Sequence, residues 1–347
     1  QSAQNMKFGN VKVFPREAIE IHEVLGEGNF GVVRKTLIRT EEILRWAVLK
    51  IPKGSSGIQM DTMKELLAMA QIKKHPNLVE FFGLVTVDKS VCFLVEFCEK
   101  GSLDRLHKKE DLLAKPKYLY IIRDVCSGLH VLHTARVIHR DLACRNLLMR
   151  QDGTVAISDY GLSRRLGASN AYIVKKSRFP WAWTSPESLA SMHFTKKSDI
   201  WSLGITLWEI ATKGAKPYGA HLTSTSKRTI SKLIQAGELR VSIPDAIKKT
   251  QPFLSHVIDV CLRHDPDERP SALEILEKTE LELKLDLKQG ALTQPNTAES
   301  DLCGGRFGST TVLRSDPTTL NQSQTATSSA AADKRINALR ECIQCSH

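Results

Sequence analysis

The sequence predicts an α+β protein with two lobes: a small β-rich N-terminal lobe with one inserted helix, and a larger, mostly helical C-terminal lobe. Two observations lead to this prediction. Before Gly101 the apolar residues mostly alternate or are β-branched, whereas after it they recur at helical spacing. A hydrophobic content of 41% with 25% charged residues is typical of a folded globular chain.

The N-terminal lobe is predicted over residues 19–98, after an N-terminal extension at 1–18. One stretch in it, MDTMKELLAMAQIKK, carries apolar residues at helical spacing and predicts the inserted helix. The other runs read as strands because glycine and polar turns separate them. They are IEIHEVLG, GVVRKTLI, RWAVLKI, LVEFFGLVTV and SVCFLVEFC.

The C-terminal lobe is predicted over residues 99–285, and a short hinge near residues 96–101 joins the two lobes. Its helical runs are YLYIIRDVCSGLHVLHTA, DIWSLGITLWEIAT, PFLSHVIDVCLRH and ALEILEKTELEL. Residues 286–347 form a low-complexity tail rich in Thr, Ser, Ala and Gln. We expect this tail to be disordered, because it buries too little apolar surface to offset the entropy of ordering it.

Charge and cysteine content narrow the functional classes. The net charge is +11, but Lys and Arg are spread along the chain without a basic helix or stripe, so we expect some preference for acidic partners and no nucleic-acid binding. No run approaches the roughly 18 apolar residues of a transmembrane helix. The eight cysteines follow no framework spacing, which favours reduced thiols and a cytoplasmic location. Cys342 and Cys345 lack the second pair typical of zinc sites.

A glycine-rich run, LGEGNFGVV, lies between two predicted strands at residues 25–33. Its G-x-G-x-x-G pattern also occurs in dinucleotide-binding folds and in plain hairpin turns. A dinucleotide fold requires a helix after the glycines, and VVRKTLI reads as a strand. Glycines let backbone N–H groups approach phosphate oxygens closely, so the run predicts a loop that covers phosphates, with a simple turn as the alternative.

Lys50 ends a predicted strand, and Glu65 lies on the inserted helix. Alone, such a pair would be read as a surface salt bridge of about 0–1 kcal/mol. Its position after the glycine run favours another role, in which the lysine contacts phosphate oxygens and the carboxylate holds the lysine.

The most specific pattern is HRDLACRN at residues 139–146, followed by DYG at 159–161. Phosphoryl transfer needs a carboxylate to orient the attacking hydroxyl and accept its proton, and oxygen ligands to hold Mg²⁺ on the phosphates. Asp141 fits the first role, and Asn146 and Asp159 fit the second. An ordinary polar loop does not explain a match of this length.

Together these motifs resemble the eukaryotic protein kinase family over roughly residues 19–285. The resemblance implies the two-lobed protein kinase fold, with ATP and Mg²⁺, or alternatively Mn²⁺, as cofactors. It continues through SPE at 185–187, DIWSLG at 199–204 and Arg269. It also implies structural roles for Asp199 and for a buried ion pair between Glu187 and Arg269.

Within the family, the acceptor hydroxyl is also indicated. Kinases that phosphorylate Ser or Thr generally carry Lys two residues after the catalytic Asp, whereas this chain has Ala143 there and Arg145 beyond it. The segment FPWAW at 179–183 is likewise similar to the tyrosine kinase platform. The resemblance therefore implies protein substrates with acceptor tyrosines. The runs PWAWTSPESL, LGEGNFGVVRK and GSLDRLHKK are most similar to Ack-type non-receptor tyrosine kinases.

The resemblance further implies an ATP site. In it, Lys50 contacts the phosphates and Glu65 holds Lys50 in place. Arg145 assists Asp141 in orienting the acceptor hydroxyl. The residues implied to surround ATP are Leu25, Gly26, Glu27, Gly28, Asn29, Phe30, Gly31, Val33, Val48, Lys50, Val95, Glu96, Cys98 and Leu148.

A regulatory site is expected at Tyr172, which lies between Asp159 and Pro180. By resemblance, Arg140 and Arg164 are its phosphate partners, and a phosphate there would order the segment. The alternative is that Tyr172 only packs against the lobe.

Three residues depart from the family pattern: Tyr160 replaces Phe, Val48 replaces Ala, and Leu262 replaces Trp. None of them removes a charged catalytic group, so we expect altered packing rather than loss of activity. Two alternatives stay open: a pseudokinase scaffold that binds nucleotide or partners without efficient catalysis, and a kinase of dual specificity.

Overall fold

The computed structural model describes residues 11–28, 31–52, 72, 74–88, 90–160, 162–167, 169–173 and 179–292. One compact unit spans Asn10–Asp286, and a second consists of Gln1–Gly9 and Leu287–His347. The first unit confirms the predicted α+β fold of a β-rich N-terminal lobe and a mostly helical C-terminal lobe. Residues 60–71 of the predicted inserted helix and the tail beyond residue 292 lie outside the described residues. The predicted start of the disordered tail at residue 286 is wrong, because residues 286–292 complete the helix Ala272–Leu292.

The N-terminal lobe is built on a six-stranded sheet in the order β1-β5-β6-β4-β3-β2. The five runs predicted as strands all form strands. β1 runs parallel to β5, and the remaining pairs are antiparallel. The strands are β1 (Val13–Phe14), β2 (Ile19–Gly28), β3 (Gly31–Arg39), β4 (Leu44–Pro52), β5 (Phe81–Val87) and β6 (Ser90–Glu96).

Side chains alternate across this sheet with the period of two expected of strands. In β4, Ala47 and Leu49 join the apolar cluster on the outer face, whereas Val48 joins the larger cluster that continues into the C-terminal lobe. The sheet therefore presents Val48 and its neighbours to the space between the lobes.

β1 comes from the stretch that the sequence analysis assigns to an N-terminal extension. Val13 and Phe14 pair with Leu84 and Val85, and Phe14 is buried. The chain passes so close to Gly83 that a Cβ there would lie 2.1 Å from the carbonyl oxygen of Lys12, and Gly83 has a φ of +149°. Glycine is therefore required at this crossing, and Val13–Phe14 of the extension belong to the sheet.

The C-terminal lobe contains the four predicted helical runs and several shorter elements. Its helices are α1 (Leu103–Leu106), α2 (Lys117–Thr134), α3 (Pro186–Ser191), α4 (Lys196–Ala211), α5 (Lys227–Gln235), α6 (Asp245–Thr250), α7 (Pro252–Cys261) and α8 (Ala272–Leu292). Short strands complete it: β7 (Gly101–Ser102), β8 (Val137–Ile138), β9 (Leu147–Met149), β10 (Val155–Ile157), β11 (Arg164–Arg165), β12 (Tyr172–Ile173) and β13 (His193–Phe194). No helix in the described part of the chain is both long enough and apolar enough to cross a membrane.

Helix α4 is the central element of this lobe, because it is buried over most of its length. A capping box starts it: the Thr195 side chain accepts from the Lys197 N–H, and the Ser198 hydroxyl accepts from the Thr195 N–H. Its buried polar side chains include Asp199 and Glu209. Their partners lie on the HRDLACRN run at residues 139–146, which we call the catalytic loop, and on the segment before α3.

Candidate active site

The glycine loop joins β2 to β3, which remain paired as far as Gly28 and Gly31. A Cβ on Gly31 would lie 1.9 Å from the Ile51 carbonyl oxygen, and Gly31 has a φ of +146°, so glycine is required there. Gly26, in contrast, has no atom within 4 Å of where its Cβ would be. The backbone at Gly26 is therefore open to a phosphate, whereas Asn29 and Phe30 lie outside the described residues.

The residues predicted around adenine lie in one apolar group. Val48 and Val95 are directly paired across β4 and β6 and are buried in the cluster that also contains Cys98. Leu25, Val33 and Leu148 are partly buried against the same cluster. These residues from both lobes thus belong to one extended apolar cluster, in which Val48 and Val95 are direct neighbours.

Glu96 connects the hinge to the C-terminal lobe through Arg150, an interaction that the sequence analysis missed. Arg150 donates to both carboxylate oxygens of Glu96, at 2.6 and 2.9 Å. Burial would raise the pKa of Glu96, but the guanidinium of Arg150 lowers it. The Glu96 backbone N–H also donates to the Glu80 carbonyl at 2.9 Å, so the hinge is held on both sides.

Lys50 and Asp159 meet across the cleft, with Lys50 Nζ 3.4 Å from Asp159 Oδ1. Asp159 adopts a left-handed conformation, with a φ of +62°, which is unfavourable for residues other than glycine. Such local strain is concentrated at functional sites. Glu65, the predicted partner of Lys50, lies outside the described residues.

The catalytic loop places Asp141, Arg145 and Asn146 side by side. Arg145 Nη2 donates to Asp141 Oδ1, and Asn146 Nδ2 donates to the Asp141 carbonyl at 2.7 Å. Burial raises the pKa of the Asp141 carboxyl, and the nearby Arg145 opposes that rise. Because its amide nitrogen is engaged, Asn146 has its side-chain oxygen left to act as a ligand.

The donor set of Asn146 and Asp159 fits Mg²⁺, a hard cation that prefers oxygen ligands. No group of three or more His, Cys, Asp or Glu residues with metal-binding geometry occurs in the described part of the chain. This observation is compatible with a kinase-type site, because such a site takes its remaining ligands from phosphate oxygens and water.

Asp199 organises the start of the catalytic loop from α4. Its carboxylate accepts from the backbone N–H groups of His139 and Arg140, at 2.8 and 2.9 Å. It also lies 2.9 Å from His133 Nε2. Burial alone would raise the pKa of Asp199, but these hydrogen bonds lower it. Arg140 is held by them in a left-handed conformation with a φ of +67°.

Glu209 is a second α4 carboxylate at the site, and the sequence analysis missed it. Its Oε2 accepts from the Cys144 N–H at 3.1 Å and from Trp183 Nε1 at 2.8 Å. The Arg145 guanidinium lies over the Trp183 ring, 4.8 Å from its centroid. Glu209 therefore joins the catalytic loop to the FPWAW segment. The only sequence signal was a charged residue within an otherwise apolar helical run.

Glu187 and Arg269 form the ion pair that the resemblance implies. Two guanidinium nitrogens of Arg269 donate to the two carboxylate oxygens of Glu187, both at 2.8 Å. Arg269 also donates to the backbone carbonyls of Arg263, Lys197 and His264.

Tyr172 lies between the two arginines predicted as its partners. Arg164 Nε is 3.4 Å from the Tyr172 hydroxyl, and the guanidinium of Arg140 is 5.1 Å from the ring centroid. The ring also packs against a small apolar cluster that includes Phe194. Burial and the neighbouring Arg164 lower the pKa of Arg140 to about 10. Arg140 Nε and Nη2 are buried, with no hydrogen-bond partner in the described part of the chain.

The departures from the family pattern are accommodated by packing. Tyr160 is buried, and its hydroxyl donates to the Ile157 carbonyl at 3.1 Å. Leu262 packs so closely on Gly204 that a Cβ there would lie 2.8 Å from Leu262 Cδ2. The extra hydroxyl of Tyr160 is thus satisfied inside the core.

Comparison with known proteins agrees with this geometry. A profile of the family described as "Protein tyrosine and serine/threonine kinase" matches residues 19–279. The chain is 33% identical to ephrin type-A receptor 1 of Homo sapiens over 255 residues, which are 72% of the chain and 25% of the receptor.

Two further relatives come from distant organisms. The chain is 33% identical to tyrosine-protein kinase csk-1 of Caenorhabditis elegans, over 58% of the chain and 36% of that protein. It is 34% identical to a probable serine/threonine-protein kinase of Dictyostelium discoideum, over 79% of the chain and 29% of that protein. The chain spans less than two thirds of each relative, and the resemblance to Ack-type kinases stays a prediction. On the family match and these identities, the chain belongs to the protein tyrosine and serine/threonine kinase family.

Proposed function

We propose that this chain is a protein tyrosine kinase that transfers the γ-phosphate of ATP, with Mg²⁺ or Mn²⁺, to tyrosine hydroxyls of protein substrates. The contact between Arg145 and Asp141, with Trp183 beneath Arg145, carries the proposal. It places a cation beside the catalytic carboxylate, in the sequence pattern that tyrosine kinases use. The name of the csk-1 relative supports tyrosine, whereas that of the Dictyostelium relative keeps dual specificity as an outcome to test.

Each residue contributes position or charge. Lys50 would contact the α- and β-phosphates, and Asp159 and Asn146 would hold the metal ion, which would neutralise phosphate charge. Asp141 orients the tyrosine hydroxyl and accepts its proton, and Arg145 neutralises charge beside it. Glu209 accepts from the backbone N–H of Cys144 and from the ring N–H of Trp183. One carboxylate therefore holds both the catalytic loop and the FPWAW segment. Preorganised charge of this kind is usually the largest contribution to catalysis.

Regulation is proposed at Tyr172. A phosphate on its hydroxyl would add a charge of roughly −1.5 to −2 beside Arg140 and Arg164. The two buried nitrogens of Arg140 that lack partners in the described part of the chain support this proposal, because a phosphate oxygen is the acceptor they need.

The proposed catalytic domain spans 19–285, divided at the hinge into 19–98 and 99–285, and the structure adds Val13–Phe14 to its sheet and residues 286–292 to its last helix. We propose a cytoplasmic location, because the five cysteines in the described part of the chain are buried free thiols. Substrates are proteins with accessible tyrosines.

The test is an assay with radiolabelled ATP and two acceptors, a glutamate–tyrosine copolymer and a protein rich in Ser and Thr, followed by phosphoamino-acid analysis. We expect phosphotyrosine from the wild type and none from Lys50→Met or Asp141→Asn, both of which keep the wild-type fold by circular dichroism. A variant that retains more than about a tenth of the wild-type kcat has lost only ~1.4 kcal/mol and contradicts the role assignments. Phosphoserine or phosphothreonine at a comparable rate indicates dual specificity, and nucleotide binding without transfer indicates a pseudokinase.

A further inference from the structure

A groove of about 250 Å³ lies in the C-terminal lobe, between the segment that follows α1 and the end of α4. Leu112, Leu113 and Ile210 are the apolar residues in its lining, and all three are buried. The groove is below the roughly 300 Å³ of typical small-molecule pockets, so its size suits one or two side chains of an extended segment.

The rim of this groove carries Lys108, Lys109 and Lys213. All three are exposed, and none forms an ion pair within the described part of the chain. Lysines close by, in contrast, have carboxylate partners: Lys117 pairs with Glu110, and Lys115 pairs with Glu282 and Asp286. The three rim lysines therefore form a cluster of positive charge without ion-pair partners in that part of the chain, and we call the groove that they border the lysine groove.

Two carboxylates also line the groove, but both have partners. Glu110 pairs with Lys117, which lowers the pKa of its carboxyl, and Asp111 accepts from the Leu113 N–H at 3.1 Å. The hydrogen bond leaves the negative charge of Asp111 in place, so three lysines without ion-pair partners among the described residues face one such carboxylate, and positive charge remains in excess beside an apolar floor. An anion with a nearby apolar group complements both features.

The wall of the groove is closely packed where α1 and α4 end. The His107 ring lies 3.3 Å from the Leu103 carbonyl and packs directly on Gly214. A Cβ on Gly214 would lie 2.2 Å from the His107 ring, and Gly214 has a φ of +85°, so glycine is required there. A preformed groove reduces the ordering cost of binding.

The groove is also connected to the substrate platform. Ile210 on its floor follows Glu209, which holds Trp183 and the catalytic loop. A segment in the lysine groove is thus bound at the end of the helix that positions the acceptor side of the active site.

We propose that the lysine groove binds an acidic segment of the protein substrate, one with clustered carboxylates beside an apolar residue, and thereby raises the local concentration of its acceptor tyrosine. This inference rests on the proposed protein kinase function. Its binding step does not depend on phosphate transfer, so the two are separable.

The first arm of the test measures binding without catalysis. A fluorescent, tyrosine-free peptide of alternating Glu and Leu is compared by anisotropy with the same peptide containing Gln in place of Glu. We expect the acidic peptide to bind about tenfold more tightly, because three ion pairs of ordinary surface strength add up to that difference. The variant K108E/K109E/K213E is expected to abolish the difference.

The matched control is K232E/K278E/K284E, which changes the net charge equally at exposed lysines outside the groove. It is expected to keep the preference for the acidic peptide. Equal loss in both triple variants, no loss in the groove variant, or equally tight binding of an oligonucleotide of the same charge overturns the proposal.

The second arm attaches each peptide by a flexible linker to one acceptor tyrosine sequence. The acidic version should lower KM with an unchanged kcat, and only the groove variant should remove this advantage. If no tyrosine is phosphorylated while the binding preference persists, the tyrosine kinase proposal fails and the groove remains. If transfer is normal but KM is the same for both peptides, the groove proposal fails.

Discussion

Arg269 and Arg140 are both buried in the C-terminal lobe, but they differ in how many of their side-chain donors have hydrogen-bond partners. Arg269 makes five hydrogen bonds, two of them to the Glu187 carboxylate and three to backbone carbonyls. Arg140 is almost as buried, yet it donates only Nη1 to the Leu162 carbonyl, and its other two nitrogens lack partners within the described residues.

The difference distinguishes a completed structural ion pair, at Arg269, from a site at Arg140 that still lacks an acceptor among the described residues. A buried guanidinium is stabilising only when its donors have hydrogen-bond partners, because the free-energy cost of desolvating the charge is otherwise not offset. Arg269 meets that condition within the chain itself. Arg140 faces Arg164 and the Tyr172 ring instead of a carboxylate, and phosphate on Tyr172 would supply the missing acceptor.

The largest expected effect on stability comes from loss of the ion pair between Arg269 and Glu187. Arg269→Met should lower the free energy of unfolding by about 3–5 kcal/mol, because it leaves Glu187 and three carbonyls without their partner. Arg140→Met in the unphosphorylated protein should change it by only about 1 kcal/mol, because the arginine removed is itself incompletely paired. Urea denaturation measures both values, and equal losses would contradict the distinction between the two sites.

Completion of the Arg140 site is the next largest effect. Phosphorylation of Tyr172 should stabilise the protein by about 2 kcal/mol through new charge-assisted hydrogen bonds, and Tyr172→Phe should lower kcat severalfold after incubation with ATP. Thermal unfolding of the phosphorylated and unphosphorylated forms measures the gain. Arg140→Met is the control for stability: it should remove the gain, and a gain that survives shows that the phosphate binds elsewhere.

The buried hydroxyl of Tyr160 already has an acceptor, so its removal should change stability less than completion of the Arg140 site. Tyr160→Phe restores the usual family residue and removes the bond to the Ile157 carbonyl, which keeps a second donor in the Val79 N–H. We expect the free energy of unfolding to fall by about 1 kcal/mol and kcat to stay unchanged. A large change in kcat would mean that Tyr160 has a role beyond packing.

Deletion of residues 295–347 should have the smallest effect. Both arginine sites lie within the compact unit Asn10–Asp286, and the tail has no core-forming pattern. The melting temperature and intrinsic rate are expected to stay close to those of the full chain. A fall of several degrees would show that the tail docks on the catalytic domain.

Much of the fold was predictable because its strands and long helices carry clear hydrophobic periods. The five strand runs and the four helical runs all form the expected type of element. β1 was not recognised, since two residues are too short to show alternation. Its identification depends on the close approach of Lys12 to Gly83, which only the folded chain reveals.

Motif residues of the candidate site were predictable where chemistry requires one residue type at one spacing, as for Asp141, Asn146 and Asp159. Partners distant in sequence were not. Arg150 pairs with Glu96, and Glu209 with Cys144 and Trp183, although neither residue belongs to a local motif. Such contacts depend on how helices and loops pack, which no short pattern records.

The central claim is that this chain phosphorylates tyrosine and that its rate rises as Tyr172 becomes phosphorylated. The most direct test is a single time course with ATP and Mg²⁺ that follows, by mass spectrometry, phosphate on Tyr172 and on a tyrosine peptide. We expect a lag in peptide phosphorylation that ends as Tyr172 is modified, and that disappears after preincubation with ATP. Full-rate transfer from the start with Tyr172 unmodified, or phosphate on serine and threonine alone, would contradict it.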